Sequence, residues 1–198
     1  MPTRTPLNHT GTIRLETTRL ILRPTAVTDA AQMFRNWASD AQVVKYLFWS
    51  PHADVTETQS VLTKWAQEYA KPDYYHWGIV CKETGEIIGT IAVMGLAETH
   101  QSAEIGYCIS RAQWNRGYMS EVVAAVIRHM LFVVGLNRVS ASHDTNNPAS
   151  GRVMQKCGMQ LEGIRRQSRF CPRRGFYDSA YYAILKSDFD EKEADALL

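Results

Sequence analysis

Residues 103–121, AEIGYCISRAQWNRGYMSE, constrain the fold more than any other stretch of this chain. Ala103, Ile105, Tyr107 and Ile109 alternate with Glu104, Gly106, Cys108 and Ser110, which predicts a strand with two different faces. Residues 111–116 break that alternation. Gly117 then stands before residues 119–134, which are apolar on nearly every side, as a helix buried against a sheet would be. The first N–H groups of a helix have no internal partner, and the aligned peptide dipoles favour negative charge there. Gly117 would let a phosphate approach the backbone with no Cβ in the way. A single glycine can equally serve plain turn geometry. The chain has no GKS or GKT of a P-loop and no G-x-G-x-x-G dinucleotide fingerprint here.

The rest of the chain predicts one α+β domain. The expected boundaries are a loose tail at 1–13, a single domain at 14–190 and an acidic tail at 191–198. Residues 15–23 read as a first strand, stopped by Pro24. Thr28 or Asp29 can cap a helix bearing Ala30, Met33, Phe34 and Trp37 on one face, and Asp54 with Glu57 forms a capping box for a second helix. Residues 43–49 (VVKYLFW) are either buried core or the lining of an acceptor pocket. A hairpin (75–81 and 87–94), the strand at 103–110, the long helix ended by Gly135, and a strand at 138–143 follow. Asn147-Pro148 opens a further helix, and strands near 159–167 and 178–185 close the domain.

Composition narrows the function class. The net charge of +2 over 198 residues gives no global signal for nucleic acid. The N-terminal MPTRTPLNHTGT lacks the apolar segment of a secretory signal, and no apolar run is long enough to span a bilayer. Cys81, Cys108, Cys157 and Cys171 have neither metal-ligand nor redox spacing, so a cytoplasmic protein with no metal and no membrane is expected.

EIGY followed by QWNRGYMSE and then by NNPASGRVMQKCGM resembles the GNAT acyl-CoA N-acetyltransferases, in particular the branch of ribosomal-protein N-terminal acetyltransferases of the Rim type. The opening LETTRLILRP and closing DSAYYAILKSDF are of that branch's kind, so the resemblance runs over about residues 14–189. It implies the GNAT fold, a mixed and mostly antiparallel sheet of six to seven strands flanked by about four helices in α/β/α-like layers. It also implies acetyl-CoA as cosubstrate and direct transfer to a primary amine. The leading acceptor is a protein N-terminal amine. A small-molecule amine (polyamine, aminoglycoside or amino acid) and a catalytically idle CoA-binding module are the alternatives.

The family's pyrophosphate loop, Q/R-x-x-G-x-G/A, corresponds to Trp114, Asn115, Arg116, Gly117, Tyr118 and Met119. Asn115 sits where a glycine is frequent, and Met119 replaces a small residue. The resemblance implies that amides from Arg116 to Ser120 hold the pyrophosphate, that Arg116 adds charge, and that the backbone at Cys108 and Ile109 pairs with the pantetheine arm. Asn147 and Ser150 match its N-x-x-S element, whose Asn bonds the pantetheine or positions the helix and whose Ser lies near the sulfur. The tyrosine acid of many members falls on Met154, which leaves Ser150 or a water to protonate the thiolate.

Acetyl transfer needs an amine stripped of its proton, and an ammonium of lysine-like pKa near ~10.4 has no lone pair at neutral pH. Glu104, on the strand expected to hold the cosubstrate and with no sequence-local cation, is the candidate base through water. A structural or solvent-facing carboxylate is the alternative for it, and His143 is the alternative base. Glu121 in the first helical turn is explained by the helix dipole alone. In the fold the resemblance implies, the Arg-rich run at 165–174 would be a loop flanking the acceptor mouth, able to attract an acidic protein partner or ribosomal RNA phosphates, with a solvated basic loop or a contact to a partner subunit as the alternatives; it is no nucleic-acid module by itself, no direct nucleic-acid binding is expected, and a homodimer is left open.

Overall fold

The computed structural model describes residues 5–189; the acidic tail expected at 191–198 lies outside them. Eight strands form one sheet in the order β1-β2-β3-β4-β5-β6-β8-β7. Every neighbouring pair is antiparallel except β5 and β6. The strands are β1 (Leu15–Glu16), β2 (Leu20–Arg23), β3 (His76–Cys81), β4 (Ile87–Ala97), β5 (Ser102–Ile109), β6 (Arg138–Asp144), β7 (Gln160–Cys171) and β8 (Gly175–Leu185). The helices are α1 (Ala30–Met33), α2 (Val55–Glu68), α3 (Tyr118–Arg128) and α4 (Pro148–Lys156). The α+β class and the mixed sheet agree with expectation, with one more strand than the upper bound. The extra strand arises because the stretch at 15–23 is broken by a turn, in which the Thr17 N–H donates to the Leu20 carbonyl at 3.0 Å.

Strand alternation sorts the core onto the two faces of the sheet. Leu20, Leu22, Ile79, Ile105 and Val139 pack against α3 and against Met154 of α4. On the other face Val80 and Ile87 meet Met33, Trp37 and Leu62 from α1, its continuation and α2. α1 runs on as a five-residue π-turn, Phe34–Ala38, that turns Trp37 fully inward. α2 starts on half of the expected capping box: the Glu57 N–H donates to Asp54 Oδ1 at 2.9 Å, while Glu57 Oε2 accepts from the N–H of Ala53, one residue before the cap, at 2.8 Å. Among the described residues no helix is long and apolar enough to cross a membrane.

Two expectations need correction here. Residues 5–13 are not a loose tail: the Asn8 N–H donates to the Val134 carbonyl at 2.9 Å, Thr10 Oγ1 meets His129 Nε2 at 3.0 Å, and the Trp77 indole donates to the Ile13 carbonyl at 2.7 Å. These are polar bonds to distant residues, which a polar local sequence does not announce. The Arg-rich run is also no loop. It is most of β7 and the turn into β8, and its cations are largely used internally, as described below.

Candidate active site

β5 and β6 run parallel but pair only at Ser102–Glu104 with Arg138–Ser140. Past Glu104 the recorded register stops, so β5 has a sheet neighbour on the β4 side alone. The Ala103 carbonyl accepts from Ser140 Oγ at 3.1 Å, which places it on the β6 side. Main-chain groups alternate along a strand, so those of Ile105, Tyr107 and Ile109 face the gap between β5 and β6. Cys108 then faces β4, consistent with a Cβ built on Gly89 meeting the Cys108 carbonyl at 2.4 Å. Tyr107, rather than Cys108, thus turns its main-chain groups to the gap where the expected pairing would form. Ile109 keeps its N–H on the gap side, its carbonyl being taken by the Trp114 indole at 3.0 Å.

The loop beyond β5 has the left-handed residues that a tight glycine turn demands. Asn115 has φ +59° and Gly117 φ +76°. A Cβ at Gly117 would meet only Arg19 Nη2, at 3.6 Å, so φ rather than crowding calls for glycine and the space before it is open. Arg19 braces the loop from behind. Its Nη1 donates to the Arg116 carbonyl at 2.9 Å, its Nε to Glu121 Oε2 at 2.7 Å, and its guanidinium lies 4.5 Å from the Tyr118 ring centre. Partial burial pushes the Glu121 carboxyl upward, but hydrogen bonds from Thr17 and Arg19 outweigh it and hold the group below its ordinary value. Met119 is buried in the main core, so its bulk lies inward.

Two cavities meet across β5. One, of about 520 Å³, runs along Trp114, Asn115, Gly117, Ser120 and the first turns of α4. The other, of about 700 Å³, lies on the α1–α2 side and is lined by Glu104 and by residues 46–49. Tyr107, Cys108, Asn147 and Ser150 line both. The segment at 43–49 thus divides between its two readings: Val43 and Val44 are core, while Tyr46, Leu47, Phe48 and Trp49 line the larger cavity.

The predicted residues fall unevenly on this junction. Arg116 is exposed and does not line the smaller cavity; the cations that do are Lys45, Arg152 and Lys156. The i,i+4 spacing of Arg152 and Lys156 on α4 was the available signal for them. Asn147 occupies the cap position of α4 without a side-chain cap bond, so its amide is not used there. Met154 is core. The phenol at Ser150 comes instead from Tyr107: its hydroxyl donates to the Ser150 carbonyl at 3.1 Å and lies 3.1 Å from Ser150 Oγ. Burial pushes this phenol far up, so it stays protonated at neutral pH. Sequence reasoning missed Tyr107 as a site residue because its apolar neighbours in the alternation mark it as core.

Glu104 is not without a cation. Arg169, from β7, donates to its two oxygens at 3.1 and 3.2 Å, and Ser142 Oγ donates to Oε1 at 2.7 Å. His143 is tied through Nδ1–H to the Asp144 carbonyl at 2.8 Å and stacks on Tyr182, with Nε2 against Gly151 of α4. Arg173 donates to the carbonyls of Val44 and Leu47 at 2.7 and 2.9 Å, and Arg174 pairs with the buried Asp144. The basic run thus fastens the aromatic segment over the larger cavity and neutralises two carboxylates beside it.

A glycine loop at a helix start, a sheet split beside it and two cavities meeting at the split define an acyl-CoA N-acyltransferase. Residues 19–160 match the GNAT acetyltransferase domain model, and the chain belongs to that family. It is 36% identical over 173 residues to YoaA of Bacillus subtilis, an uncharacterised N-acetyltransferase, covering 87% of this chain and 96% of that one. It is 24% identical over 159 residues to the ribosomal protein uS5-alanine N-acetyltransferase of Escherichia coli, covering 76% and 80% of the two chains. A GCN5-related N-acetyltransferase from Brucella melitensis shares the fold with a TM-score of 0.83 at 22% identity, over 98% of this chain and 90% of that one.

Proposed function

We propose that the chain moves the acetyl group of acetyl-CoA directly to a primary amine within a ternary complex, with a protein N-terminal amine as the leading acceptor. The observation that carries this reading is the meeting of the two cavities at Tyr107, Asn147 and Ser150, with Glu104 on the larger one. The smaller cavity fits the cosubstrate. Its open glycine turn and the unpaired helix amides after it suit a diphosphate, and Lys45, Arg152 and Lys156 add charge. The N–H groups of Tyr107 and Ile109 stand where an extended amide arm can pair with β5.

In this arrangement Glu104 takes the amine proton through water, and Ser150, held by Tyr107, meets the departing sulfur. The phenol O–H donates its hydrogen bond to the Ser150 carbonyl, so Ser150 Oγ–H donates to the Tyr107 oxygen until it turns to the thiolate. Glu104 is already engaged by Arg169 and Ser142. That suits an α-amine, whose pKa of about 7.7–8.0 leaves a useful neutral fraction at pH 7, better than a lysine-like amine near ~10.4. The uS5-alanine relative supports the same acceptor class. Acceptors with several ammonium groups fit less well, because both carboxylates on the larger cavity are paired, Glu104 with Arg169 and Asp144 with Arg174. The four cysteines are free, in keeping with a reducing compartment such as the cytoplasm.

The test is thiol release from acetyl-CoA across peptides and small amines, for the wild type and Glu104→Gln. The variant should lose about 10²-fold or more in kcat, shift its pH profile upward and keep its affinity for acetyl-CoA. Unchanged turnover would remove Glu104 from the chemistry, and binding without turnover of any amine would leave only a CoA-binding module.

A further inference from the structure

The walls of the larger cavity say what kind of amine it takes. Trp37, Tyr46, Trp49, Trp65 and Tyr177 line it, with Phe48 at 57% exposure among them. The histidine that meets Trp65 ring to ring, His76 at 3.9 Å, is held uncharged at neutral pH by burial, its pKa pushed down to about 4. The carboxylates on this wall are paired, Glu104 with Arg169 and Asp144 with Arg174, whose buried Nε and Nη2 have no hydrogen-bond partner and whose guanidinium stands over the rings of Tyr46 and Tyr177 at 5.1 and 4.9 Å. A second charged group on the acceptor would therefore have no free counter-charge among the described residues of the lining, and would lose its water. The walls are also held in place before any acceptor arrives. Arg173 clamps the 44–47 backbone, and Trp37 is fully buried. A single methyl would leave most of a chamber of about 700 Å³ unfilled.

Resting on the amine-acetylation reading above, the geometry points to an acceptor whose primary amine stands next to a bulky apolar group, aromatic or branched aliphatic, as in a peptide that begins with Phe, Leu or Met. The apolar group sits among the ring walls, and the amine reaches Glu104 and the junction at Tyr107.

The experiment uses the full chain, saturating acetyl-CoA and a panel of tetrapeptides identical after the first residue. Phe, Leu and Met starts are compared with Ala, Ser and Asp starts, with spermidine and with phenylalanine amide. The expected result is kcat/KM about tenfold or more higher for the bulky apolar starts, from the extra apolar surface removed from water. Phe48→Ala, at an exposed position, should narrow the preference in kcat/KM for the Phe peptide over the Ala peptide about fivefold, and an unchanged preference would count against the ring walls as its source. Phenylalanine amide used as well as the Phe peptide supports the same wall chemistry and assigns a free small amine as its source. Equal or better use of the Ala, Ser or Asp peptides, or of spermidine, overturns the inference while leaving acetyl transfer in place. Acetyl-CoA binding without turnover of any amine overturns the reading beneath it.

Discussion

At the residue scale the mechanism depends on how few proton-carrying groups reach the junction of the cavities. Tyr107 and Ser150 make one unit, because the phenol bonds both the carbonyl and the hydroxyl of Ser150. Tyr107→Phe and Ser150→Ala should each lower kcat with little change in KM for acetyl-CoA, and the double variant should lose no more than the worse single one. A double-mutant cycle measures this, and simple additivity would separate the two residues. In the proposed mechanism Arg169 acts through Glu104, as a positioning residue. Arg169→Met removes the guanidinium that holds both carboxylate oxygens, so kcat should fall with little change in KM for acetyl-CoA, and Arg169→Lys should restore part of the loss. An unchanged kcat would mean that the Arg169 contact does not position Glu104. None of this pairing was legible beforehand. Glu104 was readable from its place on β5, but its partners lie 38 and 65 positions away in the chain, and residue spacing carries no information at that range.

At the level of elements, the loop between β5 and α3 is the part most fully readable from the sequence. A two-residue period gives way to a buried helical pattern around one glycine, and the backbone there has the positive φ that the glycine allows. Gly117→Ala places a Cβ in left-handed geometry at a cost of about 1–2 kcal/mol. Acetyl-CoA affinity and folding stability should both fall, and an unchanged melting temperature with unchanged affinity would contradict the account. The hairpin of β7 and β8 was the least readable. β7 is the sheet's edge, and most of its residues are exposed, so it shows no apolar alternation; its arginines look like a solvated loop. Charged side chains on an edge strand also discourage pairing with another chain, which gives Arg165 and Arg166 a use that needs no ligand.

For the whole molecule, the fold class followed from the order of elements, and the split sheet did not, because divergence of β5 from β6 is decided by what packs on both. Stability should carry a pH signature of its own. Burial holds His76 near pKa 4 and lowers His129 as well, so between about pH 6.5 and 4 the unfolded chain binds protons that the native one does not. Stability is then full above about pH 6.5 and falls as pH drops through that window, by roughly 2–3 kcal/mol for His76. Urea midpoints across the range should show this, and His76→Phe should flatten the slope. The central claim is that the amides around Gly117 grip a diphosphate and lay a thioester into the gap beside β5. Calorimetric titration of the purified chain with acetyl-CoA tests it most directly. The account predicts saturable binding of one equivalent, weakened several-fold in Gly117→Ala; a folded protein that takes up no acetyl-CoA would contradict it.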